Sequence, residues 1–125
     1  ARHAVTLYGQ GGQQWTYPVD DIDTQSITGL DTLPDGRLLA VERRYSQPWL
    51  PVVCTLSVLD LQADALRLAP LARFSSARGW PVDNFEAIAH HRGQRFFIAS
   101  DDNESPLQRT LLIYFEFVTS PPISD

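Results

Sequence analysis

Arg37-Leu38-Leu39-Ala40-Val41 and Arg95-Phe96-Phe97-Ile98-Ala99 are one pattern written twice, offset by 58 residues (95 − 37). The same offset sets Ile27 beside Phe85 and Leu30 beside Ile88, and it ends with Glu42-Arg43-Arg44 facing Ser100-Asp101-Asp102. Each copy completes a hairpin. Pro34-Asp35-Gly36 leads into the first, where Asp-Gly supplies the backbone freedom a tight turn demands, and His91-Arg92-Gly93-Gln94 leads into the second. A third strand follows each hairpin, over Thr55–Leu61 and Leu111–Phe117.

Outward from these hairpins the dominant period is two, the signature of half-buried strands. Strands are expected over Ala4–Gly9, Gln14–Val19, Ser26–Leu33, Arg37–Arg44, Thr55–Gln62, Ala69–Ser75, Phe85–His90, Arg95–Ser100 and Leu111–Phe117. Leu59–Leu71 is the one stretch with a helical alternative, and Leu56, Val58 and Asp60 ahead of it favour a strand. The chain reads as all-β. Antiparallel strands repeated at this spacing point to β-propeller blades, with a β-sandwich containing two similar hairpins as the alternative. With strand positions labelled A to D from the hub outward, the chain supplies C–D of one blade, A–D of the next and A–C of a third. A closed propeller needs at least four blades. Residues 1–125 are therefore expected to form a single all-β unit, a propeller fragment of about two blades, completed by the remaining blades of a longer chain or by copies of itself. Pro121-Pro122 marks the exit from the last strand.

Composition narrows the function classes. At 125 residues there is room for one domain with a modest core, and 43% apolar residues is ordinary for a globular chain. No apolar run reaches the roughly 18 residues of a membrane span. The net charge of −5 without a block of like charge argues against a nucleic-acid binder held by phosphate contacts. All ten basic residues are arginine, which fits either bidentate anion contacts or genome composition bias. Cys54 is alone among Val52, Val53 and Leu56, so it reads as a buried structural thiol. The chain contains no methionine, so either an N-terminal segment was removed or this is a piece of something longer.

Thr28-Gly29-Leu30, Leu33 through Leu39 and Glu42-Arg43, with Asn84-Phe85-Glu86-Ala87-Ile88-Ala89, Ser100-Asp101-Asp102-Asn103 and Gln108-Arg109-Thr110, carry a further signal. In combination they resemble the bacterial "esterase-like activity of phytase" family, the phytase-like domain proteins, from Val5 to Phe117. Two positions depart from that pattern: Ala87 stands where glycine is usual, and Glu104 where an aromatic is common. The resemblance implies a β-propeller of about twice this length, of which this chain is the C-terminal part. It also implies an export signal, hence a periplasmic or secreted protein, and a hydrolase-like activity on esters.

The candidate site is the polar cluster at the strand ends. Alternate residues of a strand share a face, so Asn84 pairs with Glu86, and Glu42 with Arg44, while Phe85 and Arg43 turn the other way. The repeat sets Glu42-Arg43 and Asp101-Asp102-Asn103 at equivalent ends of neighbouring blades. Three readings compete. Glu86, Asp101, Asp102 and Asn103 offer the hard oxygen donors that calcium or magnesium prefers. A cation there, Ca2+ above all, would assist hydrolysis of a small anionic phosphate or carboxylic ester gripped by Arg43 and Arg109. The second reading is a structural network, with Glu42 or Glu86 against Arg109 and Asp102 and Asn103 capping turns. The third is serine hydrolysis by Ser100 or Ser105 with His90 or His91. It lacks the Gly-x-Ser-x-Gly elbow, and the histidines lie at the far end of the hairpin from Ser100. No catalytic residue is assigned. Trp15, Tyr17, Tyr45, Trp49 and Trp80 serve either as a binding platform or as inter-blade packing. Trp49 and Trp80, in Pro-containing loops, suit a non-catalytic propeller that binds a ligand or partner.

Overall fold

The computed structural model describes residues 3–19, 24–45, 51–63, 65–78, 85–100 and 110–118. Among them nine strands form three antiparallel sheets. Sheet A pairs β1 (His3–Tyr8) with β2 (Gln14–Val19). Sheet B runs β3 (Gln25–Thr32), β4 (Leu38–Arg44), β5 (Val53–Leu61) and β6 (Leu66–Ser75) in sequence order. Sheet C runs β7 (Phe85–Arg92), β8 (Arg95–Ser100) and β9 (Leu112–Glu116). The two-, four- and three-stranded sheets match in strand number the partial, whole and partial units that the repeat predicts, and the all-β class holds. A 3-10 turn, Ser76–Arg78, follows β6.

Local chemistry sets the hairpins. Between β3 and β4, the Gly36 amide donates to the Leu33 carbonyl at 3.0 Å and the Leu33 amide to the Arg37 carbonyl at 2.7 Å. Gly36 takes φ of 90°, a conformation that costs glycine nothing. Asp35 accepts from the Arg37 amide and pairs with its guanidinium at 2.7 Å, which lowers the carboxyl pKa in this exposed turn. In β6 the sequence alternates Leu66, Arg67, Leu68, and the strand begins three residues earlier than Ala69. Pro70 follows where the β5–β6 register shifts, on an outer strand that tolerates a missing amide.

Sheet B is covered on both faces. On one side Ala40 and Leu59 pack with Tyr17 and Val19 of sheet A, flanked by Val5, Leu7, Ile27 and Leu38. On the other, Leu39, Val41, Cys54, Leu56 and Val58 pack with Phe85, Phe96 and Ile98 of sheet C. Phe96 is fully buried and stacks on Phe115 with centroids 5.8 Å apart, and meets Phe117 edge-on. Alternation along β4 thus feeds two cores at once, as the two-residue period dictates.

The inner strands β3 and β7 lie side by side and run the same way. Gly29 sits against Ala87 and Ile88, and the His90 amide donates to the Asp31 carboxylate. The Gln25 end of sheet B therefore lies with the Phe85 end of sheet C. Further out the two sheets diverge around an apolar cleft of about 350 Å3 whose lining includes Leu71, Phe74, Phe115 and Phe117. Phe96→Ala should cost about 3–5 kcal/mol, because it empties the fully buried centre of the B–C core. Urea unfolding checks this, and a loss below about 1 kcal/mol would contradict the packing.

Candidate functional site

At the common end of the sheets, Gln25 faces Arg44, Arg44 faces Val53, and Val53 faces Ser75 across sheet B. Two register steps inward, Ile27, Glu42, Thr55 and Arg73 form the next row on the same face. Both rows continue the face that packs on sheet A. Where the apolar pairs end, Glu42 becomes the shared acceptor of a polar chain. Its Oε2 accepts from the Tyr17 hydroxyl at 2.5 Å and its Oε1 from Gln25 Nε2 at 2.5 Å. Gln25 Oε1 in turn accepts from Arg44 Nη2 at 3.0 Å. Tyr17 is fully buried and Gln25 nearly so. Buried polar groups are tolerated only when bonded in this way.

Burial first, then the hydrogen bond to Glu42 and its charge, raise the Tyr17 phenol well above its ordinary value. On the opposite face Cys54 is fully buried. Desolvation, reinforced by the Glu42 charge, pushes its thiol up to about 12. A thiol so disposed is no nucleophile at neutral pH.

Backbone bonds close the same end: the Tyr45 amide donates to the Thr24 carbonyl at 2.8 Å and the Ser76 amide to the Val52 carbonyl at 3.0 Å. In sheet C the Ser100 amide donates to the Leu111 carbonyl at 2.9 Å, and the Leu111 amide donates to Ser100 Oγ at 2.9 Å. The family model described as phytase-like, esterase-like activity of phytase, matches residues 2–104, from β1 through this closure at Ser100. The chain belongs to the phytase-like family. That family is a β-propeller, with which the three sheets are compatible. The match ends short of Gln108-Arg109-Thr110. No curated protein and no solved structure matches the chain.

In this phytase-like chain two of the sequence-predicted residues, Glu86 and Arg43, fall among the described ones. Glu86 is exposed on β7, directly after Phe85, which pairs with Ser100. That pairing sets Glu86 beside the end of β8. Arg43 is half-buried and takes the face of β4 opposite Glu42 and Arg44, in a row with Cys54 and Phe74, as the alternation predicts. Asp101, Asp102, Asn103, Arg109 and Ser105 lie outside the described residues, as do Trp49 and Trp80. Among the described residues no group of three His, Cys, Asp or Glu side chains could hold a metal ion.

The Ser–His reading finds no support in the described residues. Ser100 is buried with its Oγ engaged by Leu111, at the opposite end of sheet C from the histidines. His90 Nε2 lies 2.8 Å from the Gly93 carbonyl and His91 Nδ1 2.8 Å from the Tyr114 hydroxyl. Tyr17 resolves as inter-sheet packing with an added bonding role. Trp15 donates its indole N–H to the Gln62 carbonyl at 2.7 Å at the other end of the sheets. The hydrogen-bonding roles of Gln25 and Tyr17 lie beyond the sequence reading; only the shared face of Glu42 and Arg44 points towards them.

Tyr17→Phe should cost about 1.5–3 kcal/mol, the value of a hydrogen bond to a charged acceptor. Tyr17 and Cys54 both hold their protons more tightly folded than unfolded. Their stabilisation is complete below about pH 9 and is lost as pH rises through their raised folded values. The urea midpoint should stay level up to about pH 9 and then fall towards pH 12, with a shallower fall in Cys54→Ala. An identical slope in that variant would exclude the thiol as a contributor.

Proposed function

We propose that the chain belongs to a hydrolase-like propeller acting on a phosphate or carboxylic ester at the strand ends near Ser100. Family membership carries this reading, and the placement of exposed Glu86 beside the end of β8 supports it. Glu86, Asp101, Asp102 and Asn103 would hold Ca2+, since carboxylate and amide oxygens are the donors that ion takes. When bound, the ion supplies Lewis acidity to the ester or phosphoryl oxygen. Arg43 and Arg109 would grip the substrate anion. A periplasmic or secreted location goes with this reading, on the strength of the export signal the resemblance implies. The remaining propeller blades come from a longer chain or from copies of this one.

A second reading rests on one observation. The Tyr17–Glu42–Gln25–Arg44 chain satisfies the Glu42 carboxylate with donors from sheets A and B. This is what a non-catalytic scaffold or binding module needs at its hub. In that case the polar residues fix the fold, and no ester is cleaved.

A thermal melt with and without millimolar calcium, run with light scattering, separates the two. At a hundredfold excess over Kd, calcium should stabilise the fold by about 2.7 kcal/mol. Asp101→Asn should abolish that gain while leaving the calcium-free midpoint nearly unchanged. A calcium-insensitive melt, together with a mass above one chain, would favour the scaffold.

A further inference from the structure

The face of sheet B that carries the polar chain also forms a cleft of about 190 Å3 lined by Glu42, Arg44, Val53, Thr55 and Arg73. Register explains why these five meet. Arg44 lies opposite Val53 and Glu42 opposite Thr55, and Thr55 lies opposite Arg73 on the outer strand β6. The backbones of β4 and β6 are two strand spacings apart, roughly 9–10 Å. Two arginine side chains rising from one face at that separation can converge on one small group above β5.

We propose that this cleft binds a compact oxyanion, a phosphate or carboxylate group, between the guanidinium groups of Arg44 and Arg73 with the Thr55 hydroxyl as a third donor. Three features carry the assignment. Arg44 is oriented in advance, because Gln25 accepts from it and is itself held by Glu42. Both Glu42 oxygens accept hydrogen bonds, from Tyr17 and from Gln25, so the carboxylate in the wall is engaged from the side of sheet A and β3. Among the described lining residues two guanidinium groups stand against one carboxylate, a balance suited to bidentate recognition of an anion. Arg73 is exposed at the rim, where an incoming anion meets it first.

The cleft stands apart from the ester-hydrolysis reading. Arg43 faces the other side of β4, and binding is read here without turnover. The probe is inorganic phosphate, titrated against the full chain by 31P NMR at constant ionic strength. Saturable binding is expected, weakened at least tenfold by Arg73→Gln and unchanged by Arg92→Gln at the far end of sheet C. Circular dichroism establishes that Arg73→Gln, a change on an exposed position, keeps the fold. Displacement of phosphate by acetate would assign the cleft to oxyanions in general, and failure of acetate to compete would assign it to phosphate groups. Either result upholds the site. Absence of saturable phosphate binding, or equal affinity in Arg73→Gln and the parent, overturns it.

Discussion

The close approach of β3 and β7 organises the rest of the chain. A Cβ built on Gly29 would stand 3.1 Å from the Ile88 amide nitrogen and 3.1 Å from Ile88 Cγ2, so the two backbones meet where a side chain would crowd them. Asp31 reinforces the contact by accepting from the His90 amide and, at 2.7 Å, from the Thr32 amide. With the inner strands clamped in the same direction, sheets B and C open outward like adjacent pages. The buried row of Leu39, Val41 and Leu56 then meets Phe85, Phe96 and Ile98, and the outer strands part around the apolar cleft. The clamp also brings the polar end of sheet B to the same side of the molecule as the end of β8.

Much of this was legible in the sequence. The 58-residue offset predicted that Leu38-Leu39-Ala40 and Phe96-Phe97-Ile98 occupy like positions, and both form the second strand of a sheet. Asp35-Gly36 placed a turn with a local cause. The start of β6 was less legible, because Leu59–Leu71 carried a helical alternative and Pro70 closely follows the Leu66-Arg67-Leu68 alternation. Pairing with Leu61 and Leu59 settles them as strand. Periodicity could show that Glu42 and Arg44 share a face. It could not show that Tyr17, on another sheet and 25 residues away, delivers its hydroxyl to Glu42. A two-residue period reports which side a residue takes, whereas a cross-sheet bond depends on how two sheets are docked.

The two glutamates illustrate how position divides roles among identical side chains. Glu42 stands where an apolar face gives out, and neutral donors from two sheets close around it. Glu86 stands in the open, one residue from a strand pairing. The first is a joint that ties sheet A to sheet B at the polar end; the second is accessible to a ligand. Sequence grouped them as interchangeable partners for one arginine, because burial is a property of the docked sheets rather than of the residue.

Sheet B is the only sheet among the described residues with partners on both faces, and this has a consequence for how the molecule breathes. Sheets A and C each bury a single face against it, while Tyr8, Leu112 and Tyr114 remain exposed on their outer sides. Amide protons of β4 and β5 are released only when both flanking sheets part, whereas those of β1 and β9 need one contact to loosen. The molecule therefore carries a gradient of cooperativity from its centre to its flanks, with the slowest hydrogen exchange at Leu39–Val41 and Leu56–Val58.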